Sequence, residues 1–161
     1  MLVRFTKNAL SARADTLTCI LPDGTSTVGP MPRQAILPHD AFHYVVETTL
    51  GWRDAFLGQI ADGRTHDEAT AGFHGPKSAT SRQTGRARQT ETLIECLQAE
   101  QWGGASDPAT FTAKLAETCR RRRAAPLVLT AADLARLRIA LRDFGAAWRP
   151  LAPGQFLERT F

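Results

Sequence analysis

The apolar residues of this chain alternate with polar ones near its two ends and recur every three to four positions in between. LVRFT alternates apolar and polar residues, TLTCIL is rich in β-forming residues, and the final GQFLERTF alternates again. Alternation is typical of a strand with one buried face, whereas the central segments repeat apolar residues every three to four positions, as helices do. The sequence therefore predicts an α+β fold, with a small antiparallel sheet packed against helices.

The predicted sheet is built from an N-terminal hairpin and a C-terminal strand. PDGT separates TLTCIL from STVGP, and its Asp-Gly pair can adopt the left-handed backbone of a tight turn. GQFLERTF would pair with this hairpin and complete a sheet of three or four strands.

About five helices are predicted between these ends. The clearest covers residues 38–50 and carries an apolar stripe formed by Phe42, Val45, Val46, Thr49 and Leu50. The others are predicted at 52–62, at 89–101, from Pro108 into the arginine run, and after Thr130. Thr65 with Glu68 indicates one extra helical turn, and LVL after Pro126 indicates a brief strand.

Length and composition favour one globular domain over residues 1–161, with an exposed basic loop at 74–88. The 3 cysteines are far apart, which is typical of reduced thiols in a cytoplasmic protein of bacterial type. The first residues lack the apolar segment of a signal peptide, and no apolar run approaches the length of a membrane span.

The stretch LPHDAFHYVVE places His39 and His43 one turn apart on the first helix. Side chains four residues apart lie one above the other, about 6 Å apart, which suits two imidazoles that share an ion. At about 100° per residue, His39 lies at the edge of the apolar stripe, with His43, Glu47 and Asp40 further round. We therefore expect the pair at a half-buried border between helices, where a cleft can form.

The predicted cofactor is a divalent metal ion such as zinc. In the zinc-hydrolase motif HExxH, the acid between the histidines activates the metal-bound water, and Asp40 stands between the two histidines here. Asp40 and Glu47 are the candidates for a catalytic base or a group that orients the ligands. A third ligand must come from another segment, and the candidates are Asp54, His66, His74, Glu91 and Glu95.

Two resemblances accompany this motif. Residues 37–63, LPHDAFHYVVE followed by LGWRDAFLGQIADG with two residues between them, resemble small bacterial proteins with an LPHDxxHxxVE stretch, which implies no established activity. More loosely, His39, Asp40 and His43 resemble the HDxxH-x11-E zinc motif of a ubiquinone-biosynthesis family. The glutamate position of that motif falls on Ala55, one residue after Asp54, so a ligand of the family is missing.

Two other interpretations of the histidine pair stay open. The imidazoles can be structural groups, hydrogen-bonded to carboxylates or backbone where the helix meets its neighbours, or they can perform acid/base chemistry without a metal. The sequence therefore leaves open whether the protein is an enzyme.

The alternative function is a non-catalytic module that binds nucleic acid or an acidic protein. No acidic residue lies between Glu68 and Glu91, and basic residues occur in that region and at a later helix end. They are Lys77, Arg82, Arg86, Arg88, Arg120, Arg121, Arg122 and Arg123. They could form one positive surface for phosphates. The later run also complements the dipole of its own helix, which is the structural interpretation.

Overall fold

The computed structural model describes residues 1–74 and 85–161, and of these all side chains except those of 72–74. The strands are β1 (Leu2–Thr6), β2 (Ala14–Ile20), β3 (Ser26–Pro32) and β4 (Phe156–Thr160). The helices are α1 (His39–Leu50), α2 (Phe56–Ala61), α3 (His66–His74), α4 (Gly85–Gly103), α5 (Pro108–Arg122) and α6 (Ala131–Trp148). This arrangement confirms the predicted α+β fold.

The four strands form one antiparallel sheet in the order β3-β2-β1-β4. Phe5 at its centre lies opposite Leu17 on one side and Leu157 on the other, and all three are buried. The C-terminal strand pairs with β1, as the alternation at both ends predicted. Pro30 and Pro32 lie in the edge strand β3, where proline is tolerated at positions whose N–H would point away from the neighbouring strand.

Helix α1 lies at the centre of the helical layer. It packs against α6, α4, α2 and β3. Phe42, Val45 and Val46 of its predicted stripe are buried in a hydrophobic core that also includes residues from the sheet, whereas Thr49 and Leu50 are only partly buried. No helix in the described ranges is both long and apolar enough to cross a membrane.

The structure differs from the prediction in three segments. The capping box of Thr65 and Glu68 forms, but it begins a complete helix, α3, because Ala69 is buried. Residues 85–88 of the predicted basic loop form the first turn of α4, while 75–84 lie outside the described residues. Residues 127–129 form no strand, although Leu127 and Leu129 pack against the core.

Candidate metal centre

His39 and His43 lie on the first two turns of α1, with ring centroids 4.9 Å apart. The side chain of His39 is 28% exposed and that of His43 only 3%. The angles of the two residues on the helix predicted that His43 would be more exposed than His39, but His43 is the more deeply buried of the two. Helix α2 causes the difference because its Phe56 ring lies 4.9 Å from the His43 ring and covers that side of α1.

Glu91 of α4 faces both imidazoles. Its Oε1 lies 3.0 Å from Nε2 of His43, and its Oε2 lies 3.6 Å from Nε2 of His39. One potential ligand atom from each of the three residues lies within 4.8 Å of the other two. Among the described candidates for a third ligand, Glu91 is therefore the one that joins the histidine pair.

Glu47 holds His43 from the opposite side of its ring. Its Oε1 lies 3.1 Å from Nδ1 of His43, and its two oxygens accept hydrogen bonds from the backbone N–H groups of Leu57 (3.3 Å) and Gly58 (3.0 Å). The side chain is completely buried. These bonds give Glu47 a positioning role, because they fix the imidazole and the first turn of α2 together.

Gly58 allows this contact. A Cβ atom at position 58 would lie 2.0 Å from the backbone oxygen of Arg53, which no side chain can tolerate. The absence of a side chain therefore lets the start of α2 fold closely onto the preceding turn, where its amide groups reach Glu47.

A cavity of about 370 Å³ opens beside the three residues. His39, His43 and Glu91 line one part of it together with Asp40, which is only 8% exposed. Burial raises the pKa of Asp40, against the opposing effect of the nearby imidazoles of His43, His39 and His66. The acid that follows the first histidine of the motif thus faces the same space as the potential ligands.

Without a metal ion, the cluster is a buried ion pair. Burial disfavours a charged imidazole, but hydrogen bonds to Glu47 and Glu91 outweigh it and raise the pKa of His43 to about 10. Burial likewise disfavours ionised Glu91, but His39 and His43 hold its pKa well below the usual range. Protonated His43 therefore lies between two carboxylates, which is compatible with the structural interpretation of this histidine.

The Nε2 atom of His39 contacts Glu91 more loosely than His43 does. It is buried and has no hydrogen-bond partner among the described residues. Its 3.6 Å separation from Glu91 exceeds hydrogen-bond length. A buried polar atom without a partner is costly, and an ion or water bound between His39 and Glu91 would remove that cost.

The other candidates for a third metal ligand do not join the group of His39, His43 and Glu91. Asp54 is exposed and lies 3.8 Å from the guanidinium of Arg86. Glu95 pairs with Arg121 and Arg122 of α5 instead of facing α1. His66 lines the cavity but does not belong to the cluster of ligand atoms. The side chain of His74 lies outside the described part of the chain.

The predicted basic surface is partly neutralised within the molecule. Arg86 lies 4.4 Å from the Trp52 ring centroid, and Arg88 donates a 3.1 Å hydrogen bond to the carbonyl oxygen of Arg123.

At the end of α5, Arg121 and Arg122 pair with Glu95, while Arg120 and Arg123 are exposed. Lys77 and Arg82 lie outside the described residues. The hydrogen bond from Arg88 to Arg123 places the start of α4 next to this basic end of α5.

Sequence reasoning missed the backbone amide groups of Leu57 and Gly58, and it missed that the His66 ring packs against Gly29, where a Cβ atom would lie 2.1 Å from the ring. The spacing of His43 and Glu47 did indicate that these two side chains share a helix face. Backbone donors on α2 have no signature in the sequence, because any residue except proline supplies an N–H group.

Comparisons with models of protein families, with curated proteins and with solved structures found no match. The arrangement itself therefore carries the functional argument: an α+β fold in which two helices present two imidazoles and a carboxylate at the edge of a cavity.

Proposed function

We propose that His39, His43 and Glu91 bind a divalent transition metal ion such as zinc, and that the ion makes the protein a hydrolase-like enzyme for a small molecule. The observation that carries the proposal is the buried Nε2 of His39, which has no hydrogen bond among the described residues and lies 3.6 Å from a carboxylate already shared with His43. A structural ion pair explains His43 and Glu91 but leaves this nitrogen unsatisfied.

The donor atoms suit such an ion. Imidazole nitrogens and a carboxylate oxygen are common ligands of zinc, manganese and iron, and catalytic zinc sites typically have three protein ligands and one open position. The separations of 3.0 and 3.6 Å between Glu91 and the two Nε2 atoms leave room for an ion after small side-chain movements. The bound ion would replace the proton that His43 shares with Glu91.

Glu47 supports the same assignment. Histidines that bind metals usually donate their other ring N–H to a carboxylate or carbonyl group, which fixes the ring and its tautomer. The contact between Nδ1 of His43 and Glu47 fits this pattern and directs Nε2 toward Glu91, so that loss of the Nε2 proton would offer its lone pair to an ion there.

The cavity and Asp40 favour hydrolysis. A zinc ion with three protein ligands lowers the pKa of a bound water, which makes that water a nucleophile near neutral pH. Asp40 faces the cavity next to His39 and is the residue that would accept the water's proton. Glu47 is unsuited to this step because it is fully buried and accepts hydrogen bonds from His43 and α2.

Metal content of the purified protein tests the proposal. Protein made without a histidine tag is incubated with excess zinc, desalted and measured by elemental analysis. We expect one zinc per chain, lost in His39→Ala and in Glu91→Gln. Glu95→Gln is a matched control, because Glu95 lies one turn further along α4 and pairs with α5. A wild-type protein without zinc, or a Glu91→Gln variant that retains it, contradicts the proposal.

We also propose a second candidate function, which rests on the contact between Arg88 and the Arg123 carbonyl. This contact brings two basic segments together, and their combined surface is suited to nucleic acid or an acidic protein. Retention on immobilised heparin should decrease steeply with salt and weaken in an Arg120→Ala, Arg123→Ala double variant. Arg136→Ala on α6 is the control, and equal loss in both variants contradicts a local binding surface.

A further inference from the structure

We propose that His66 binds the far end of the small molecule whose other end contacts the metal. The inference rests on the proposed metal site and extends it by assigning a ligand-binding residue and a class of ligand. The ligand has two polar ends joined by an apolar segment, one end for the ion and one for His66.

His66 is a buried polar group that lines the cavity beside the metal centre. It is the first residue of α3, and its side chain is only 8% exposed. Its Nδ1 lies 3.4 Å from Oδ1 of the exposed Asp67 side chain, which is at the long end of hydrogen-bond distances, and its Nε2 forms no hydrogen bond with the described residues. The ring therefore retains hydrogen-bonding capacity inside the cavity.

Three contacts with β3 and α2 hold His66 in place. The backbone N–H of His66 donates a 2.8 Å hydrogen bond to Oγ1 of Thr27 on β3, and the ring contacts Phe56 of α2 edge-on at 5.6 Å. The ring also occupies the space where Gly29 lacks a side chain, since a Cβ there would lie 2.1 Å from Cδ2 and Nε2. A side chain fixed in this way is preorganised for binding.

The rest of the cavity defines the middle of the ligand. Phe56, Pro30 and Pro32 supply apolar surface along the same cavity. Phe56 contacts the rings of both His43 and His66, so it lies between the metal centre and the second polar group. Apolar walls with a few fixed polar groups are typical of small-molecule sites, in which the polar groups determine orientation.

A series of hydroxamic acids can measure the separation between the two groups. The hydroxamate binds the ion, and the tail carries two to five methylene groups that end either in a hydroxyl or in a methyl group. Affinity is measured from the visible spectrum of the cobalt-loaded protein. At one tail length we expect the hydroxyl to improve affinity about five-fold in wild type, as one net hydrogen bond would. His66→Phe should abolish this gain with its cobalt content unchanged.

A second measurement uses the unmodified, zinc-loaded protein. In NMR spectra, the favoured hydroxyl ligand should shift the ring protons of His66 more than its methyl analogue does. A hydroxyl gain that survives in His66→Phe, the absence of any gain at every length, or equal shifts with both tails overturns the inference while the metal site stands. A wild-type protein that takes up neither cobalt nor zinc overturns the metal site and this inference together.

Discussion

Nδ1 of His43 and Oε1 of Glu47 lie 3.1 Å apart in the buried interior of the protein. The same carboxylate accepts hydrogen bonds from the first backbone amides of α2. A change at Glu47 therefore affects the orientation of a proposed metal ligand and the packing of a helix at once.

Glu47→Gln should destabilise the metal-free protein by about 3 kcal/mol, the range observed when one partner of a buried ion pair is removed. The amide also brings an NH₂ group toward backbone donors that need an acceptor. Urea unfolding measures the loss. Glu95→Gln, at a partly exposed ion pair, should cost about 1 kcal/mol or less. Equal losses in the two variants would contradict the role assigned to Glu47.

Gly58→Ala should destabilise the protein by about 2 kcal/mol, because overpacking forces the backbone to move. The new Cβ would lie 2.0 Å from the Arg53 carbonyl oxygen and push α2 away from Glu47. Gly103→Ala is the control, since no described residue outside its own helical turn lies within 4 Å of its Cβ position. That variant should be neutral or more stable by at most about 1 kcal/mol, as alanine favours a helix. Equal stability of the Gly58→Ala variant and wild type would show that the turn can open freely.

Zinc should stabilise the folded protein only while its ligands are intact. At free zinc about a hundredfold above the dissociation constant, linkage predicts a gain of about 2.7 kcal/mol in the free energy of unfolding. Chelation with EDTA should reverse the gain, and His39→Ala should show none. Differential scanning calorimetry with and without zinc measures it. Stabilisation of wild type and His39→Ala to the same extent would place the binding elsewhere.

The ion pair between Glu100 and Arg138 should make stability depend on pH in the acidic range. Burial would raise the pKa of Glu100, but hydrogen bonds from Arg138 and Ser106 outweigh it and lower the pKa below its ordinary value of 4.5. A pKa that is lower in the folded state means that the unfolded chain binds more protons, so this contribution is present above pH 4.5 and is lost as the pH falls.

Glu100→Gln should therefore cost about 1 kcal/mol at neutral pH, and its difference from wild type should shrink in acid. Urea unfolding at several pH values measures this difference. Glu117→Gln, at an exposed position on α5, is the control and should stay close to wild type throughout. A difference that persists unchanged in acid would show that the ion pair contributes no charge-dependent stability.

Much of the fold was predictable because it depends on local periodicity. The alternation of Val3 and Phe5, and the stripe that contains Phe42 and Val46, identify strand and helix without knowledge of their partners. The helix α3 was harder to predict, because burial of Ala69 and the bond from His66 to Thr27 depend on contacts with distant segments.

The pairing of His39 with His43 was predictable for the same reason, since one helical turn fixes their spacing whatever surrounds them. The choice of Glu91 over Asp54, His66 or Glu95 depended on how α4 and α2 pack around α1. The angle of His43 on its own helix predicted less burial than it has, because the Phe56 ring of another helix covers it.

The sequence by itself determined the strands at both ends, most of the helices and the placement of two imidazoles one turn apart on one of them. Each depends on interactions between residues a few positions apart. Only the tertiary structure decided that Glu91 faces both imidazoles and that Glu47 fixes one ring to α2. It also decided that the His66 ring packs against Gly29, where the missing side chain leaves room for it. Those relationships join residues far apart in the chain, and their geometry is set by the packing of whole elements.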